Sequence, residues 1–568
     1  PMPEDFATAA ASTGQTASRA ERCLVIPAIK KNAVIPDQLI KKLAGKTLIQ
    51  RALETAKGVA SGRDILVVTD SDEIRLICER AGVGYEYNPA HTIQSLNIVS
   101  ALRPVLERLA EKYERIIIYR ASSPLVTASD IEDAYARFTR EESDCLVTVK
   151  SLKYRLWEEK GNDIDALLFN EEEQTAYVET RALFMLRADA LHKHDELGRD
   201  GTQGLKATPY FLHDRGIEIT SYLDWWVCEK ILQSKHVIFV VAGYPAIGMG
   251  HIYRALMLAH EIADHRITFL CTRESELAVS NITARDYKTK VQTTDDLAAD
   301  VLRLRPDLVV NDILNTEADY IAALKDQGVA VVNFEDEGSG AARADLVVNA
   351  LYENRKGKDE RFLCGYKNFC LRDEFLTARR NEYRPAVRRV LVTFGGTDDS
   401  DFTRKTLDVL FPLCRERDIR ITVVAGPGYA HKEALSERVD LLNRQAPLVT
   451  FTHATNVMSR EMENADLAVC SAGRTVYELA HMRIPAIILS HHAREDMHTF
   501  ARPRNGFVYL GVMKEYREQA VRRAFADLLE GNRRSVLYQR LNRFDFSANK
   551  ARVVGRILGL VQGRENFS

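Results

Sequence analysis

Apolar runs of strand length alternate with amphipathic stretches along the first part of the chain. The runs occupy residues 23–29, 65–69, 115–119 and 145–149. The stretches between them carry apolar residues at helical spacing and occupy residues 48–60, 72–81, 98–112 and 129–140. Strands that alternate with helices in this way predict βαβ units and a parallel sheet covered on both faces. A helix-like segment at residues 227–233 closes this series.

Two further alternating series follow. The second has apolar runs at residues 237–243, 267–271, 308–311, 330–334 and 346–350. The third has them at residues 390–394, 419–425, 449–452, 467–470, 486–489 and 507–510. Polar residues 372–387 predict a linker, and the pattern of residues 519–562 predicts helices. We therefore expect an α/β protein with a disordered tail at 1–20 and domains at 21–233, 234–385 and 386–568.

Composition narrows the class of protein. Hydrophobic residues make up 46% and charged residues 28%, and a net charge of -2 gives no general attraction for nucleic acid. The nine cysteines include no C-x-x-C pair, which argues against a disulfide framework or structural zinc and favours a reducing cytosol. No apolar run approaches the ~20 residues that cross a bilayer. The tail lacks the basic start and apolar core of a signal peptide, so we expect a cytoplasmic protein without a transmembrane segment.

A histidine stands at the first strand–helix junction of the second series. It lies in the stretch Ile-Gly-Met-Gly-His-Ile-Tyr-Arg, which contains Gly248, Gly250, His251 and Arg254. The glycines allow a tight turn and a close approach to a ligand. Ligands bind at such junctions in open α/β sheets, where a histidine can act as a general base near neutral pH. The alternative is an ordinary turn with a solvated histidine.

Two loops of the third series suit a phosphate group. Gly395 and Gly396 follow the strand at 390–394, where their backbone N–H groups are available to an anion. A loop that runs from Ser471 through Gly473 to Thr475 opens the next helix, and its N-terminus favours negative charge. Glu478, one turn into that helix, suits the hydroxyl groups of a ribose. Each loop taken alone is more often an ordinary βα turn, but their combination with the histidine turn favours a nucleotide site.

Residues 237–510 resemble the GT-B nucleotide-sugar fold. Within it they are most similar to the UDP-sugar hydrolase family of pseudaminic acid biosynthesis, a relative of the lipid II-forming N-acetylglucosaminyltransferase. The matching pieces are 247–251 with Arg254, 308–312, 365–366, 371–375, 394–398, 456–458, 465–467 and 471–475 with Glu478. The resemblance implies that His251 is the catalytic base and that no cofactor is needed. It also implies a UDP-sugar site formed by Gly248, Gly250, Arg254, Gly395, Gly396, Ser471, Gly473, Thr475 and Glu478.

This part of the chain departs from the family pattern at the sugar pocket. Arg494 and Glu495 replace an Asn-Gln pair, and Glu335 and Asp336 stand where paired aspartates are expected. A changed pocket implies a different sugar. The chemistry therefore stays open between hydrolysis and glycosyl transfer, in which His251 would deprotonate a hydroxyl acceptor. Two nearby histidines, at 491 and 492, lack a carboxylate pair at ligand spacing, and we expect no metal there.

Residues 23–233 resemble a cytidylyltransferase of the acylneuraminate type. The matching pieces are 26–28, 45–49, 67–70 with Asp72, 122–125, 188–191 and 224–225. Such enzymes join CMP to a sugar acid from CTP with Mg²⁺, which requires cations around the triphosphate and carboxylates for the metal. The resemblance implies CTP binding by Pro27, Ala28, Lys30, Lys31, Lys42, Asp70, Arg120, Ser122 and Ser123. It implies weaker metal ligation by Glu218 and Asp224, and a homodimer through this domain.

The first domain also departs from its family. The expected glycine-rich phosphate loop is replaced by Ile-Lys-Lys-Asn-Ala-Val at 29–34. The two lysines of this stretch could still bind phosphate groups as point charges. Glu218 and Thr220 align with the paired aspartates, and losing one carboxylate weakens Mg²⁺ binding. We therefore predict a Rossmann-like nucleotidyltransferase domain followed by a two-lobed GT-B module, joined as two enzymes of nonulosonic acid biosynthesis. The alternative is a GT-B glycosyltransferase fused to a non-catalytic nucleotidyltransferase-like module.

Overall fold

Three open sheets account for the three alternating series. In the computed structural model the described residues are 19–30, 35–88, 98–151, 157–160, 163–166, 177–191, 205–243, 250–353, 357, 359–455 and 457–562. The chain divides into two compact units, residues 1–233 and 234–568, which are described separately. Site residues Lys31 and Gly248 lie outside the described residues, as do residues 1–18 of the tail predicted at 1–20, whereas Ala20 already belongs to the first strand. Within the part of the chain that is described, no helix is both long and apolar enough to cross a membrane.

The first unit is built around one mixed sheet. Its strands are β1 (Ala20–Ala28), β2 (Lys42–Leu43), β3 (Lys46–Thr47), β4 (Ile65–Thr69), β5 (Gly84–Tyr87), β6 (Tyr113–Tyr119), β7 (Cys145–Ser151), β8 (Trp157–Lys160), β9 (Asp163–Ala166), β10 (Tyr177–Arg187) and β11 (Ala207–Phe211). Its helices are α1 (Leu48–Lys57), α2 (Asp72–Ala81), α3 (Ile98–Ala110), α4 (Ala128–Arg140) and α5 (Tyr222–Gln233). The sheet order is β11-β7-β10-β6-β1-β4-β5. The fully buried residues Leu24, Val25 and Ile26 place β1 at its centre.

One strand of this sheet departs from the parallel arrangement that the sequence predicts. β10 pairs antiparallel with both β6 and β7, whereas β1 pairs parallel with β4 and β6. Between β7 and β10 the described residues contain the antiparallel hairpin β8–β9 and no helix. A parallel return requires a crossover connection, usually a helix, but an antiparallel return does not.

The second unit contains two parallel sheets, which form two lobes. The first lobe has β12 (His236–Val241), β13 (Arg266–Cys271), β14 (Thr289–Val291), β15 (Leu308–Asp312), β16 (Ala330–Phe334), β17 (Leu346–Asn349) and β18 (Phe362–Cys364). Its helices are α6 (Gly250–Glu261), α7 (Glu276–Thr283), α8 (Leu297–Arg303) and α9 (Ala318–Asp326). The short helix α10 (Asp373–Thr377) follows β18 in the chain and packs against the second lobe, where its Phe375 is buried. The sheet order β14-β13-β12-β15-β16-β17-β18 is that of a doubly wound fold.

The second lobe repeats this organisation. Its strands are β19 (Arg389–Thr393), β20 (Arg420–Ala425), β21 (Val449–His453), β22 (Leu467–Ser471), β23 (Ala486–Ser490) and β24 (Phe507–Val512), in the order β21-β20-β19-β22-β23-β24. Its helices are α11 (Phe402–Glu416), α12 (Lys432–Gln445), α13 (Met458–Met462), α14 (Thr475–Met482), α15 (Ala493–Asp496), α16 (Glu518–Leu529) and α17 (Asn532–Leu541). Together the units form the α/β architecture expected from the sequence, a nucleotidyltransferase-like domain followed by a two-lobed GT-B-like module.

The last helix, α18 (Asn549–Gln562), returns to the first lobe. Val553, Ile557 and Val561 are buried in the same apolar cluster as Val237 of β12. Lys550 at the start of α18 forms an ion pair with Glu261 at the end of α6, at 2.6 Å. The C-terminal segment therefore contributes to the core of the lobe that begins the unit.

Candidate functional site

The candidate site of the second unit lies where the switch points of its two sheets face each other. In the first lobe the strand order reverses between β12 and β15, and in the second it reverses between β19 and β22. Ligands of open α/β sheets bind at the carboxyl ends of such strands. A cavity of about 370 Å³ opens there and is lined from both lobes. The predicted site residues that line it are Gly250, His251, Arg254, Gly395, Gly396, Ser471, Gly473, Thr475 and Glu478.

His251 is held by a buried carboxylate. Its Nδ1 lies 2.5 Å from Oδ1 of Asp312, the last residue of β15. Arg254, one turn further along α6, donates to the same carboxylate through Nε at 2.7 Å and Nη2 at 2.6 Å. Because an ionised carboxylate only accepts hydrogen bonds, Nδ1 of His251 is the donor and Nε2 is left with a free lone pair. That tautomer is the one a general base requires.

The charge of Asp312 is stabilised by its partners. Burial alone would raise the pKa of this carboxyl, but the Arg254 guanidinium and His251 hold that pKa below its usual range. Asp312 is 1% exposed and Arg254 is 3% exposed, so water does not screen the pair. The site therefore contains a fixed negative charge behind the histidine, which favours an imidazolium that forms when His251 takes a proton.

Glu335 extends this network and stands in a strained backbone conformation. It follows β16 with a φ of 50°, in the left-handed region that few non-glycine residues adopt. Its Oε1 accepts a hydrogen bond from Arg254 Nη1 at 3.1 Å. Burial raises the pKa of Glu335 to about 7, against the opposing charge of Arg254. Strain of this kind clusters at functional sites, and here it aims a titratable carboxyl at the cavity.

The glycine loop of the second lobe forms a close backbone turn. Gly395 has a φ of 83°, and a Cβ on neighbouring Gly426 would stand 2.4 Å from the Gly395 carbonyl oxygen. Asp398 ends the loop by accepting hydrogen bonds from the backbone N–H groups of Phe402 at 2.9 Å and Thr403 at 2.8 Å. These bonds satisfy donors at the start of α11. The loop therefore presents backbone to the cavity without a side chain in the way.

Glu478 occupies the cavity together with Arg372, which directly precedes α10. Arg372 Nη2 lies 3.0 Å from Glu478 Oε1, and Arg372 also pairs with Glu374 at 2.8 Å. Burial alone would lower the pKa of Arg372, but the two carboxylates hold it above its ordinary value. A ribose would therefore have to share the Glu478 carboxylate with Arg372.

Several further polar residues at the cleft were not predicted as ligands. They include Asp312, Glu335, Arg372 and Arg474. Asp312 and Glu335 share a sequence signal, because each stands at the end of an apolar run that predicts a buried parallel strand. Charged residues at such ends point into the ligand crevice of an open α/β sheet.

In the first unit the predicted CTP residues fall into two groups. Lys30 follows β1, and its backbone N–H donates to Asp70 Oδ1 at 2.6 Å. Its ammonium group lies 3.1 Å from both Asp37 and Glu73. Pro27 and Ala28 end β1 beside this pair, while Lys42 is exposed in the hairpin β2–β3.

The second group gathers around Glu218. Arg120 Nη1 donates to Glu218 Oε1 at 3.0 Å, and Ser122 Oγ donates to the same oxygen at 3.3 Å. Arg181 reaches the other oxygen at 2.8 Å from a left-handed position in β10, with a φ of 57°. Ser123 Oγ is buried, and no hydrogen-bond partner for it is found in the part of the chain that the structure describes.

The predicted metal ligands fit a cation poorly. Glu218 is paired with two arginines, whose charges oppose a divalent cation at the same carboxylate. Asp224 Oδ2 instead accepts hydrogen bonds from Thr220 N at 2.9 Å and Ser221 Oγ at 2.9 Å, which cap α5. Among the described residues no cluster of three or more metal-binding side chains is found. The magnesium site stays a prediction, and no step below is derived through it.

Two family models match the chain. Residues 25–235 match the cytidylyltransferase model, and residues 389–503 match the model of the glycosyltransferase family 28 C-terminal domain. The first match covers the first unit, and the second covers most of the lobe that carries Gly395, Gly473 and Glu478.

Three curated proteins are similar to parts of the chain. The uncharacterized protein MJ1062 of Methanocaldococcus jannaschii is 27% identical over 269 residues, which cover 44% of this chain and 55% of that protein. The spore coat polysaccharide biosynthesis protein SpsG of Bacillus subtilis is 26% identical over 276 residues, which cover 46% and 80%. The 3-deoxy-manno-octulosonate cytidylyltransferase of Koribacter versatilis is 36% identical over 58 residues, which cover 10% and 22%. The chain thus spans only about half the length of MJ1062.

The predicted fusion is confirmed: the chain joins a cytidylyltransferase domain to a module that carries a glycosyltransferase family 28 C-terminal domain.

Proposed function

We propose that residues 234–568 hydrolyse a UDP-amino sugar, with His251 as the base. The observation that supports this is a histidine, held by a buried carboxylate, in the same cavity as a loop suited to a diphosphate. Water gives its proton to Nε2 of His251 while its oxygen bonds to the anomeric carbon of the sugar. The bond from that carbon to the diphosphate oxygen breaks, and UDP leaves with the electron pair. The N-terminus of α14 and the side chain of Arg474 stabilise the charge on UDP.

Glycosyl transfer is the second candidate, because the matching family model is one of glycosyltransferases. The geometry is the same, with a hydroxyl group of an acceptor in place of water. Tyr253 lines the cavity next to His251 and would contact such an acceptor. Release of free sugar from a UDP-sugar without any added acceptor would favour hydrolysis.

The experiment is a titration followed by a turnover assay. Calorimetry with UDP on the full chain should show binding, and Glu478→Ala should abolish it. A screen of UDP-amino sugars should then show UDP release by the wild type and none by His251→Asn, which keeps a polar side chain of similar size. Intact UDP binding by that variant would separate loss of chemistry from loss of the fold. Equal turnover by wild type and His251→Asn would refute the assignment of the base.

For the first unit we propose cytidylyl transfer from CTP to a sugar acid. A hydroxyl oxygen of the acid attacks the α-phosphorus of CTP, the bond to the β-phosphate breaks, and pyrophosphate leaves. Lys30 and Arg120 supply positive charge near the carboxyl ends of β1 and β6. The product would be a CMP-activated acid of the nonulosonic type, made in the cytosol by a homodimer. The alternative, a non-catalytic module, draws support from the pairing of both cations with protein carboxylates.

Titration with CTP, with and without Mg²⁺, separates these two possibilities. Binding that weakens in Lys30→Ala supports cytidylyl transfer, and release of pyrophosphate on adding a sugar acid would establish it. If UDP binds to the chain and CTP does not, the first unit is a scaffold. The two units are thus tested independently in one protein.

A further inference from the structure

Two of the four arginines that line the cleft have no carboxylate partner among the described residues. The four are Arg254, Arg372, Arg474 and Arg494. Arg254 and Arg372 each form ion pairs with two carboxylates. Among the residues that the structure describes, neither Arg474 nor Arg494 has a carboxylate oxygen within 4.0 Å, the limit for an ion pair. Both arginines are half-buried in the wall of the cavity, so each guanidinium is accessible to an anionic group of a ligand.

Arg474 is placed to meet the diphosphate. It stands at the N-terminus of α14, and its side chain passes Gly250, where a Cβ would lie 3.2 Å from Arg474 Cδ. Its guanidinium lies over the ring of Phe369 at 4.6 Å and donates to the Cys370 carbonyl oxygen, at 3.1 Å. Burial lowers the pKa of Arg474 to about 10, as expected for a cation without a counter-ion. Arg474 would therefore be the counter-ion of the diphosphate of a UDP-sugar.

Arg494 lies elsewhere in the cleft, and its hydrogen-bond partners in the described part of the chain are neutral acceptors. Its Nη2 donates to the Glu335 backbone oxygen at 2.8 Å, and its Nη1 lies 3.4 Å from Asn315 Oδ1. The guanidinium carbon lies 5.8 Å from the centre of the Tyr352 ring. The adjacent Glu495 does not neutralise it, because the Glu495 carboxylate accepts the His491 N–H at 2.6 Å.

Arg494 is placed to contact the sugar of the ligand and not its nucleotide. It contacts the backbone of Glu335, and the Glu335 side chain contacts Arg254 within the network that holds His251. In the proposed reaction the sugar lies at His251, and the diphosphate lies at the loop of Ser471 and Gly473. Arg494 is therefore on the side of the cavity where the sugar ring would stand.

We propose that the sugar of the UDP-sugar carries a carboxylate, as an amino uronate does, and that Arg494 is its counter-ion. This inference rests on the proposed UDP-sugar function and specifies its substrate class. A guanidinium binds a carboxylate through two parallel hydrogen bonds. A ligand carboxylate could therefore replace the neutral oxygens to which Arg494 donates in this structure. A sugar with an uncharged hydroxymethyl group at the same carbon leaves Arg494 without a counter-ion.

Two matched pairs of ligands test the proposal. UDP-glucose and UDP-glucuronate differ only in that group, as do UDP-N-acetylglucosamine and UDP-N-acetylglucosaminuronate. Calorimetry on the full chain should show the uronate of each pair binding about tenfold or more tightly, the range for charge-assisted hydrogen bonds. Arg494→Gln should remove that preference and leave the Kd for UDP unchanged. Arg415→Gln, at an arginine that contacts Gln445 away from the cleft, is the control and should keep the preference.

The possible results are distinct. Equal affinity for both members of each pair in the wild type overturns the inference, and so does an equal loss for both in Arg494→Gln. Failure of the wild type to bind UDP itself overturns the proposed function along with the inference. Unchanged UDP binding by Arg494→Gln shows that the variant is folded, so a lost uronate preference in that variant supports the proposal. Arg494→Lys should keep part of the preference, since the charge remains but the paired geometry does not.

Discussion

Replacement of Asp312 by Asn tests the link between the buried carboxylate and the base. Asp312 Oδ1 accepts from His251 and Arg254, and Oδ2 accepts from Arg254 again. An amide has one oxygen, so Asn must turn an N–H group toward one of these donors. If the NH₂ group replaces Oδ1, His251 has to accept through Nδ1 and carry its proton on Nε2. It can then no longer take a proton from water.

The magnitude follows from the bond that is lost. A charge-assisted hydrogen bond contributes about 1.5–3 kcal/mol, which corresponds to roughly 10- to 150-fold in rate if it acts on the imidazolium. The wrong tautomer lowers the rate further, so we expect kcat of Asp312→Asn to fall by about 100-fold or more. In Asp312→Asn the buried Arg254 loses one of its two carboxylate partners and keeps Glu335. We expect this loss to lower the free energy of unfolding by about 2–4 kcal/mol.

A second buried aspartate provides the control. Asp336 is 1% exposed in the same lobe and accepts from Thr316 N at 3.0 Å and Gly338 N at 2.7 Å. Asp336→Asn should destabilise the unit by about 1–3 kcal/mol and leave kcat nearly unchanged. The assay is UDP release at saturating substrate, with unfolding in urea measured in parallel. A kcat for Asp312→Asn within about threefold of the wild type would refute the assigned role of Asp312.

Three other predictions address the remaining groups. Glu478→Gln should weaken UDP binding by about tenfold or more, because the ribose hydroxyl groups lose a charged acceptor, and unchanged calorimetry would contradict a ribose role. Burial lowers the pKa of His498 to about 4, so the unfolded state binds more protons between pH 4 and 6.5 and stability rises with pH there. His498→Asn should reduce that rise by about 2 kcal/mol in urea unfolding at pH 4.5 and 6.5. Glu218→Gln should leave CTP binding as tight or tighter, because two arginines lose their carboxylate, and a loss of binding only with Mg²⁺ would favour the metal role.

Strands buried on both faces could be predicted well from the sequence. The apolar runs at 65–69 and 330–334 coincide with β4 (Ile65–Thr69) and β16 (Ala330–Phe334). Such strands appear as continuous apolar runs because neither face meets water. β10 was not predicted, because its first half contains Glu179, Thr180 and Arg181 and its pairing with β7 shifts register between Glu179 and Phe184. A bulge interrupts the pattern by which a strand is recognised.

The candidate site, too, could be predicted from the sequence only in part. Glycine loops and the histidine turn are local in sequence, so His251, Gly395 and Gly473 could be found from motifs. The partners that give them their chemistry are distant, because Asp312 lies 61 residues from His251 and Arg372 lies 106 residues from Glu478. Spacing along the chain carries no information on such pairs. Only the rule that parallel strands end at one edge of the sheet could have brought Asp312 to His251.

The return of α18 to the first lobe has a mechanical consequence. The backbone passes from the first lobe to the second between β18 and α10, and it returns between α17 and α18. Two covalent crossings define an axis, so the lobes can separate mainly by rotation about it and only slightly by translation. Such a hinge carries the Gly395 and Ser471 loops toward or away from His251 along one arc. Substrate entry and product release would then depend on the same rotation of one lobe against the other. Cutting the chain before Asn549 would remove one of the two connections that define the hinge.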